Sequence, residues 1–549
     1  MRFFLKRFLI IAASVFTIVF MASFSVCTQS ISPIKLVVVI SVDQMRADYL
    51  TRFDDLYTGG FRYLLDNGAV FIDAYQEHSE TETGVGHSTI LTGLFPSSSG
   101  IVGNDWYDSN AHRQIYCVRD TTVVIIGEQN NRNGVSFKNV NGSTLGDWLK
   151  AVDKKAKVYS ISRKDRAAVL LGGQHPDGVF WYNTSNGSFI TSTAYLTAYP
   201  VWVEEFNKQQ LPNRLSGTIW DRLLPNEELY IKYSRVDSFP NEARGGNSTK
   251  FPHELGQSSS GSRFYTQFGD TPRMAEYLIE FAKAIIQNDH LGKDGIVDVL
   301  AMSFSEADGI GHTYGPFSQE ELDEYLRLDR LIGDFFTFLD KTIGLSSCVI
   351  VLTGDHGALP LPEYLQQQGI DSKRVRFDIP GLEKKLNDTF GVGRWIEANM
   401  GTTLYINRSL LQQYTIEYKE IEQFIANEIS TWEPVARVYT RTELLERKSV
   451  DNDPYFRLYQ DCFYPERSGN IFIRLKEFYL LNSSQYGTSH GSPYSYDTHV
   501  PLIFTGNQIV KGTYKDRVAT ADIAPTLARI IGIPIRGKVD GKVLQAIIR

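Results

Sequence analysis

Five segments of the chain are continuous apolar runs: Lys35–Val42 (KLVVVISV), Ala156–Ser162 (AKVYSIS), Val297–Phe304 (VDVLAMSF), Cys348–Thr353 (CVIVLT) and Val500–Thr505 (VPLIFT). Runs of this kind, rather than strict alternation, mark strands buried on both faces, as in a parallel sheet. Helical periodicity lies between them. Thr271–Asp289 opens on Thr-Pro, a cap followed by proline at the first helical position. Ser318–Ile343 opens on Ser-Gln-Glu-Glu, with Glu321 three residues after Ser318 as in a capping box. Thr520–Ile531 reads as a short amphipathic helix. Strands alternating with helices predict an α/β fold, a layered α/β/α core around a mostly parallel central sheet.

Two stretches break that rhythm. Residues 205–270 are polar, carry NEARGGNSTKF and GQSSSGSR, and read as a surface insertion. Residues 360–480 mix short strands with helices such as Tyr418–Ile429, end in NIFIRLKEFYLL, and read as an inserted smaller α+β subdomain. The core is then expected in three parts, 27–204, 271–359 and 481–549, behind a signal peptide at 1–26. That signal rests on Arg2, Lys6 and Arg7, followed by the uncharged run Phe8 to Val26 with small residues at Ala22, Ser23 and Ser25. The run is also long enough to span a bilayer, so an uncleaved anchor is the competing reading. Phe24-Ser25-Val26-Cys27 is a poor lipobox, which leaves lipidation of Cys27 as a minor third. The expected location is the periplasm, with secretion or N-terminal anchoring as alternatives.

Composition narrows the class. Hydrophobic residues at 42% and charged residues at 22% exclude a disordered chain and a coiled coil. A formal charge of −7 argues against a broadly cationic nucleic-acid binder. Cys27, Cys117, Cys348 and Cys462 show no CxxC spacing, so no thiolate zinc site is expected. Cys348 opens an apolar run and reads as a core thiol. Cys117 and Cys462 lie in polar segments of a chain bound for a disulfide-permitting compartment, and a bridge between them is left open.

Acidic and imidazole residues follow the predicted strands. Asp43 ends the first; Asp308-Gly-Ile-Gly-His312 follows the third; Gly354-Asp355-His356-Gly357 ends the fourth; His490 precedes the last. Sites in open α/β sheets form beyond the carboxyl ends of strands. Carboxylate and neutral imidazole are suitable zinc ligands, and six of them suit a pair of metal ions. Each residue also has an ordinary reading: Asp43 as a helix cap, the Asp308/His312 spacing as a surface coincidence, Asp355-His356-Gly357 as a turn, His490 as a loop histidine. Their joint occurrence after successive strands is what argues for one site. Thr83, in ETETGVGH before the helical STILTGL, is either an N-cap or a nucleophile placed at a helix start.

The ordered set SVDQMRADYL, TGVGH, GNDWY, SRKDR, DGIGHTYGP, TGDHG and GTSHGSPYSYDTHVP, with ADIAPTLARIIGIP near the end, resembles the alkaline phosphatase superfamily. It is similar in particular to the PafA-type bacterial alkaline phosphatases, near the nucleotide pyrophosphatase/phosphodiesterase branch, over essentially the whole chain after the signal. The resemblance implies a phosphate monoesterase with two zinc ions and a phosphothreonine intermediate on Thr83. It implies Asp308, His312 and His490 for one zinc, and Asp43, Asp355 and His356 with the Thr83 oxygen for the other. Asn104, Lys164 and Arg166 match groups that bind phosphoryl oxygens and favour the monoester dianion; Lys164 and Arg166 would otherwise read as solvated charges. His87 and His499 are assigned to local structure and Asp497 to loop support. Arg163 is not a matched position.

Small-molecule phosphate monoesters are therefore the expected partners, with no obligate nucleic acid and no membrane beyond the N-terminal segment. The oligomeric state is not read. A sulfatase would need a CxPxR or SxPxR motif, and neither occurs. A cofactor-independent phosphoglycerate mutase would use serine and carry no export signal. The remaining alternatives are a phosphodiesterase/nucleotide pyrophosphatase of the same superfamily and, in a different class, an inactive binder of phosphorylated ligands.

Overall fold

Strand β1 (Leu36–Val42) is buried along its whole length and serves two cores. Leu36, Val38, Ile40 and Val42 pack into one apolar cluster, Val37 and Val39 into another. In this computed structural model the described residues are 33–128, 133–242, 248–447, 452–482 and 484–549. The expected signal segment and Cys27 lie outside them.

Four strands run parallel with β1: β2 (Val158–Ser162), β3 (Gly178–Tyr182), β4 (Asp298–Phe304) and β5 (Cys348–Gly354), in the spatial order β5-β1-β4-β2-β3. β1, β2, β4 and β5 are runs that carried no alternation, because helices cover both faces, whereas β3 was not among the runs expected. The helices used below are α1 (Thr83–Thr92), α2 (Asp165–Gly172), α3 (Ser262–Gly269), α4 (Arg273–Asn288), α5 (Glu306–Tyr314) and α6 (Gln319–Thr342). The first core takes Leu278 and Ile285 of α4 and Leu322 and Ile332 of α6; the second takes Ile90 and Leu91 of α1 with Ile523 and Leu527 near the C-terminus. The result is the three-layer α/β/α body that the pattern predicts. Ser318 caps α6 by accepting the Glu321 N–H at 3.0 Å. The Glu321 carboxylate turns inward instead and accepts a hydrogen bond from the Tyr49 hydroxyl at 3.3 Å.

One strand departs from expectation. β6 (Leu502–Thr505) pairs antiparallel with β5, from Ile350↔Thr505 to Thr353↔Leu502. Its apolar run reports burial on both faces, and direction leaves no trace in such a run. Among the described residues the sheet reaches eleven strands through additions at both edges.

Residues 205–270 are more than a surface excursion. Trp220, Tyr230, Phe251, Leu255, Phe264 and Phe268 anchor the segment in the first core. Within 360–480, strands Ile396–Met400, Thr403–Ile406, Ile471–Leu475 and Val435–Thr440 form a separate four-stranded sheet with its own apolar cluster, including Leu386, Trp395, Ile425 and Ile429. Cys117, Cys348 and Cys462 are buried free thiols, so no Cys117–Cys462 bridge forms. Cys117 packs with Ile101 and Trp106, while Cys462 ends a helix elsewhere. Among the described residues no helix is long and apolar enough to cross a membrane.

Candidate active site

The strand register levels the site. Val42 pairs with Phe304 on one side and Gly354 on the other, and Ser303 pairs with Ser162. Asp43, Asp355 and Lys164 therefore leave the sheet at the same edge, its carboxyl end, where α/β proteins place their sites. The segment carrying His490 runs into β6, whose first residue pairs with Thr353 at that same edge.

Thr83 is the first residue of α1, and the N-cap position belongs to Glu82. Its hydroxyl therefore caps nothing. It accepts from the Lys164 ammonium at 3.2 Å and from the Arg166 guanidinium at 3.3 Å, on a side chain that is almost fully buried. Gly86 lets α1 come this close to β5: a Cβ there would lie 2.2 Å from the Asp355 carbonyl oxygen. Asn104 is tied to the same helix, its carboxamide oxygen accepting the Gly84 N–H at 2.8 Å. Its amide nitrogen is thereby left as the free end of the group.

Two groups of donor atoms converge, Asp308 with His312 and His490, and Asp43 with Asp308 and His356. Asp308 and His312 face one another one turn apart on α5, at 3.2 Å, and His490 Nε2 lies 3.5 Å from the same Asp308 oxygen. Each imidazole is fixed through Nδ1: His312 to the Thr488 carbonyl at 2.8 Å, His356 to that of Gly357 at 2.9 Å, His490 to that of Thr81 at 2.6 Å. Every Nε2 is left facing the centre, the arrangement seen when histidines ligate metals. His356 also stacks on His490 with ring centroids 3.6 Å apart.

The resemblance grouped Asp355, and not Asp308, with Asp43 and His356. Asp355 is adjacent, its Oδ2 3.4 Å from His356 Nε2, but it stands outside the converging trio. The reason is Lys164. Its ammonium donates to Asp43 at 2.7 Å and to Asp308 at 2.6 Å, drawing those two carboxylates together.

The electrostatics divide the carboxylates. Burial alone pushes Asp43 up, yet the Lys164 ammonium, against repulsion from Asp308, holds it down at about 2. Burial, reinforced by the Asp43 charge, pushes Asp355 up to about 6. Burial pulls His490 down, but its hydrogen bond to Asp308 overrides this and lifts it to about 9. Asp43 Oδ1 and His356 Nε2 are buried and make no hydrogen bond, and the buried Asp355 Oδ2 meets only His87 Nδ1, at 3.0 Å. Such atoms are rarely left unsatisfied in proteins. A carboxylate oxygen and an imidazole nitrogen left without hydrogen bonds side by side, among further carboxylates and imidazoles, form a donor set suited to a divalent cation, so the residues fit a metal centre.

Several neighbours were not legible as parts of the site. Gln44 donates its side-chain N–H to Asp308 at 2.8 Å and its backbone N–H to Asp355 at 3.1 Å. His87, assigned to local structure, lies with Nδ1 3.0 Å from Asp355 and with Nε2 2.8 Å from the Ser303 hydroxyl. Both lie inside motifs that carry the resemblance, SVDQMRADYL and TGVGH, but neither was expected to act at the site. Arg163 pairs with Asp270 at 2.5 Å beside Lys164. His499 stacks on Tyr75, away from the donor atoms. Asp497 accepts the backbone N–H and hydroxyl of Ser492, holding the loop that carries His490.

The sequence profile described as type I phosphodiesterase / nucleotide pyrophosphatase matches residues 37–494. The chain is 34% identical over 530 residues to alkaline phosphatase PafA of Elizabethkingia meningoseptica, covering 95% of this chain and 96% of that one. It is 32% identical over 546 residues to alkaline phosphatase PhoV of Synechococcus elongatus, covering 96% and 95%. The crystal structure of wild-type PafA matches the fold with a TM-score of 0.88 at 33% identity, over 95% of this chain and 100% of that one. The chain belongs to the type I phosphodiesterase / nucleotide pyrophosphatase family. Within that family it falls with the PafA-type alkaline phosphatases.

Proposed function

We propose that the protein is an exported, periplasmic alkaline phosphatase that hydrolyses small phosphate monoesters with two zinc ions and Thr83 as nucleophile. The observation that carries this reading is the Thr83 hydroxyl itself, held uncapped at a helix start between two cationic side chains and beside two groups of metal-type donors.

Asp308, His312 and His490 would hold one ion; Asp43, Asp355 and His356, joined by the Thr83 oxygen, would hold the other. Bound zinc supplies a lowered pKa for the Thr83 hydroxyl and charge neutralisation at the leaving oxygen. The remaining work belongs to the chain. Thr83 Oγ attacks phosphorus as the ester P–O bond breaks, the alcohol departs with a proton, and phosphothreonine forms. Water then attacks that phosphorus, inorganic phosphate leaves, and the threonine hydroxyl is restored. Arg166, with a guanidinium pushed further up by Tyr116 and Asp165 against burial, keeps its charge throughout. Arg166, Lys164 and the free amide of Asn104 orient the equatorial oxygens, on which phosphoryl transfer concentrates charge.

Two in-line displacements retain configuration at phosphorus. A chiral phosphate ester should give retention, and inversion would mean direct attack by water. Thr83→Ala should lower turnover by roughly 10³-fold or more, as deletion of a nucleophile does elsewhere. It should leave the fold intact, since that hydroxyl only accepts hydrogen bonds from two flexible side chains. Near-normal turnover in the variant would remove Thr83 from the mechanism.

A further inference from the structure

A buried chain of hydrogen bonds joins the backbone of Lys164 to the backbone of Thr83. Lys164 stands at the N-cap of α2, and its N–H donates to Ser162 Oγ at 3.1 Å. Ser162 Oγ lies 3.1 Å from Ser305 Oγ, which lies 3.2 Å from Ser303 Oγ. Ser303 Oγ meets His87 Nε2 at 2.8 Å, and His87 Nδ1 meets the Thr83 carbonyl oxygen at 2.9 Å. Ser162, Ser303, Ser305 and His87 are all 0% exposed. The two ends demand one direction. A backbone N–H can only donate and a carbonyl can only accept, so each hydroxyl passes its hydrogen on toward His87, whose ring carries its own hydrogen on Nδ1. Buried bonds aligned in this way strengthen one another.

This sheet does not link its serines by default. Ser41 on β1 pairs in register with Ser303, and Ser160 lies two residues before Ser162 on β2, yet both hydroxyls are buried without a hydrogen bond among the described residues. The linked serines instead tie β2 and β4 to α1 where all three reach the site. Lys164 then closes a loop, because its ammonium donates to Thr83 Oγ at 3.2 Å. The two residues are connected twice, once through their side chains and once through their backbones. We propose that His87, Ser303, Ser305 and Ser162 are positioning residues that fix the Thr83 hydroxyl against the Lys164 ammonium. The inference rests on the phosphatase reading above, in which Thr83 attacks phosphorus and Lys164 meets an oxygen that a diester partly replaces. The chain grips both residues by their backbones and acts through them.

The test cuts the chain at two links in the full protein. Ser305→Ala opens it between β4 and β2. His87→Asn opens it at Nε2 and keeps an amide donor where Nδ1 stands, beside the Thr83 carbonyl and Asp355. In each variant kcat/KM for an aryl phosphate should fall about 10- to 100-fold, as a displacement approaching 1 Å costs. Bound zinc should be unchanged, and the matching alkyl aryl diester should lose less. In a Lys164→Ala background the same substitutions should cost the monoester little further, because the group whose place they set is gone. Full additivity with Lys164→Ala, equal losses on both esters, or no loss on either would make the chain a packing feature and overturn the assignment. Loss of the fold in both variants would overturn it as well. Absence of monoester turnover in the parent protein would instead defeat the phosphatase reading itself.

Discussion

Gln44 ties Asp308, the carboxylate common to both donor groups, to Asp355 beside them. Its side chain holds Asp308 and its backbone N–H holds Asp355, and it does so at φ 69°, a conformation that side chains other than glycine adopt reluctantly. That geometry permits a clean test. Gln44→Gly keeps the favourable backbone and its N–H to Asp355 but removes the bond to Asp308. Partners of metal ligands typically govern affinity by about 10- to 100-fold, and zinc binding measured by chelator competition should weaken by that much. Unchanged affinity would reduce Gln44 to a packing residue. At this scale the sequence was readable where a residue type has few other uses after a strand: Asp43, Asp308, His312, His356 and His490 all reach the centre. Gln44 and His87 were not readable as parts of the site, because a glutamine or histidine within a motif has many ordinary uses until its partners are known. The convergence of Asp308 with Asp43, in place of Asp355, depends on where the Lys164 ammonium comes to rest, which no linear spacing encodes.

Among the elements, α1 carries the most demanding constraint. It presents Thr83 at its first turn, where the helix dipole favours negative charge, and approaches β5 through Gly86. Gly86→Ala would bring a methyl group within 2.2 Å of the Asp355 carbonyl oxygen, a contact that only movement of the helix relieves. The expected outcome is lowered kcat together with a loss of stability of about 1–3 kcal/mol, the usual cost of overpacking, read by denaturant titration. Full activity and stability would show that α1 has slack against the sheet. The other elements explain what the chain does and does not reveal. Apolar runs located β1, β2, β4 and β5 because burial on both faces leaves an unmistakable pattern. The same pattern in β6 said nothing of its antiparallel direction. Polar composition made 205–270 read as surface, whereas a few aromatic anchors decide its packing.

For the whole molecule, the site concentrates buried charge at one edge of the sheet. Asp43, Asp308, Asp355 and His356 are nearly or wholly inaccessible, and Asp43 Oδ1 and His356 Nε2 make no hydrogen bond. Such groups destabilise a fold until compensated, so zinc that binds only the native chain should stabilise it. Stripping metal with a chelator should lower Tm, and restoring zinc at about 100 times its Kd should recover about 2.7 kcal/mol per site. A Tm indifferent to chelator would argue that Lys164 alone balances these carboxylates.

The central claim is a zinc monoesterase, and the family also bears the phosphodiesterase description, so substrate class is the deciding quantity. Zinc serves monoester and diester alike, whereas Asn104, Lys164 and Arg166 would meet the oxygens that a diester partly replaces. The most direct measurement is kcat/KM on an aryl phosphate and on the matching alkyl aryl diester, with bound zinc quantified, for the parent chain and for Lys164→Ala and Arg166→Ala. The monoester should be the better substrate, with about two zinc ions per chain as a two-metal site requires. Each substitution should cost the monoester about 10²- to 10³-fold and the diester far less. A parent protein that hydrolyses the diester faster, or variants that lose both reactions equally, would contradict the account.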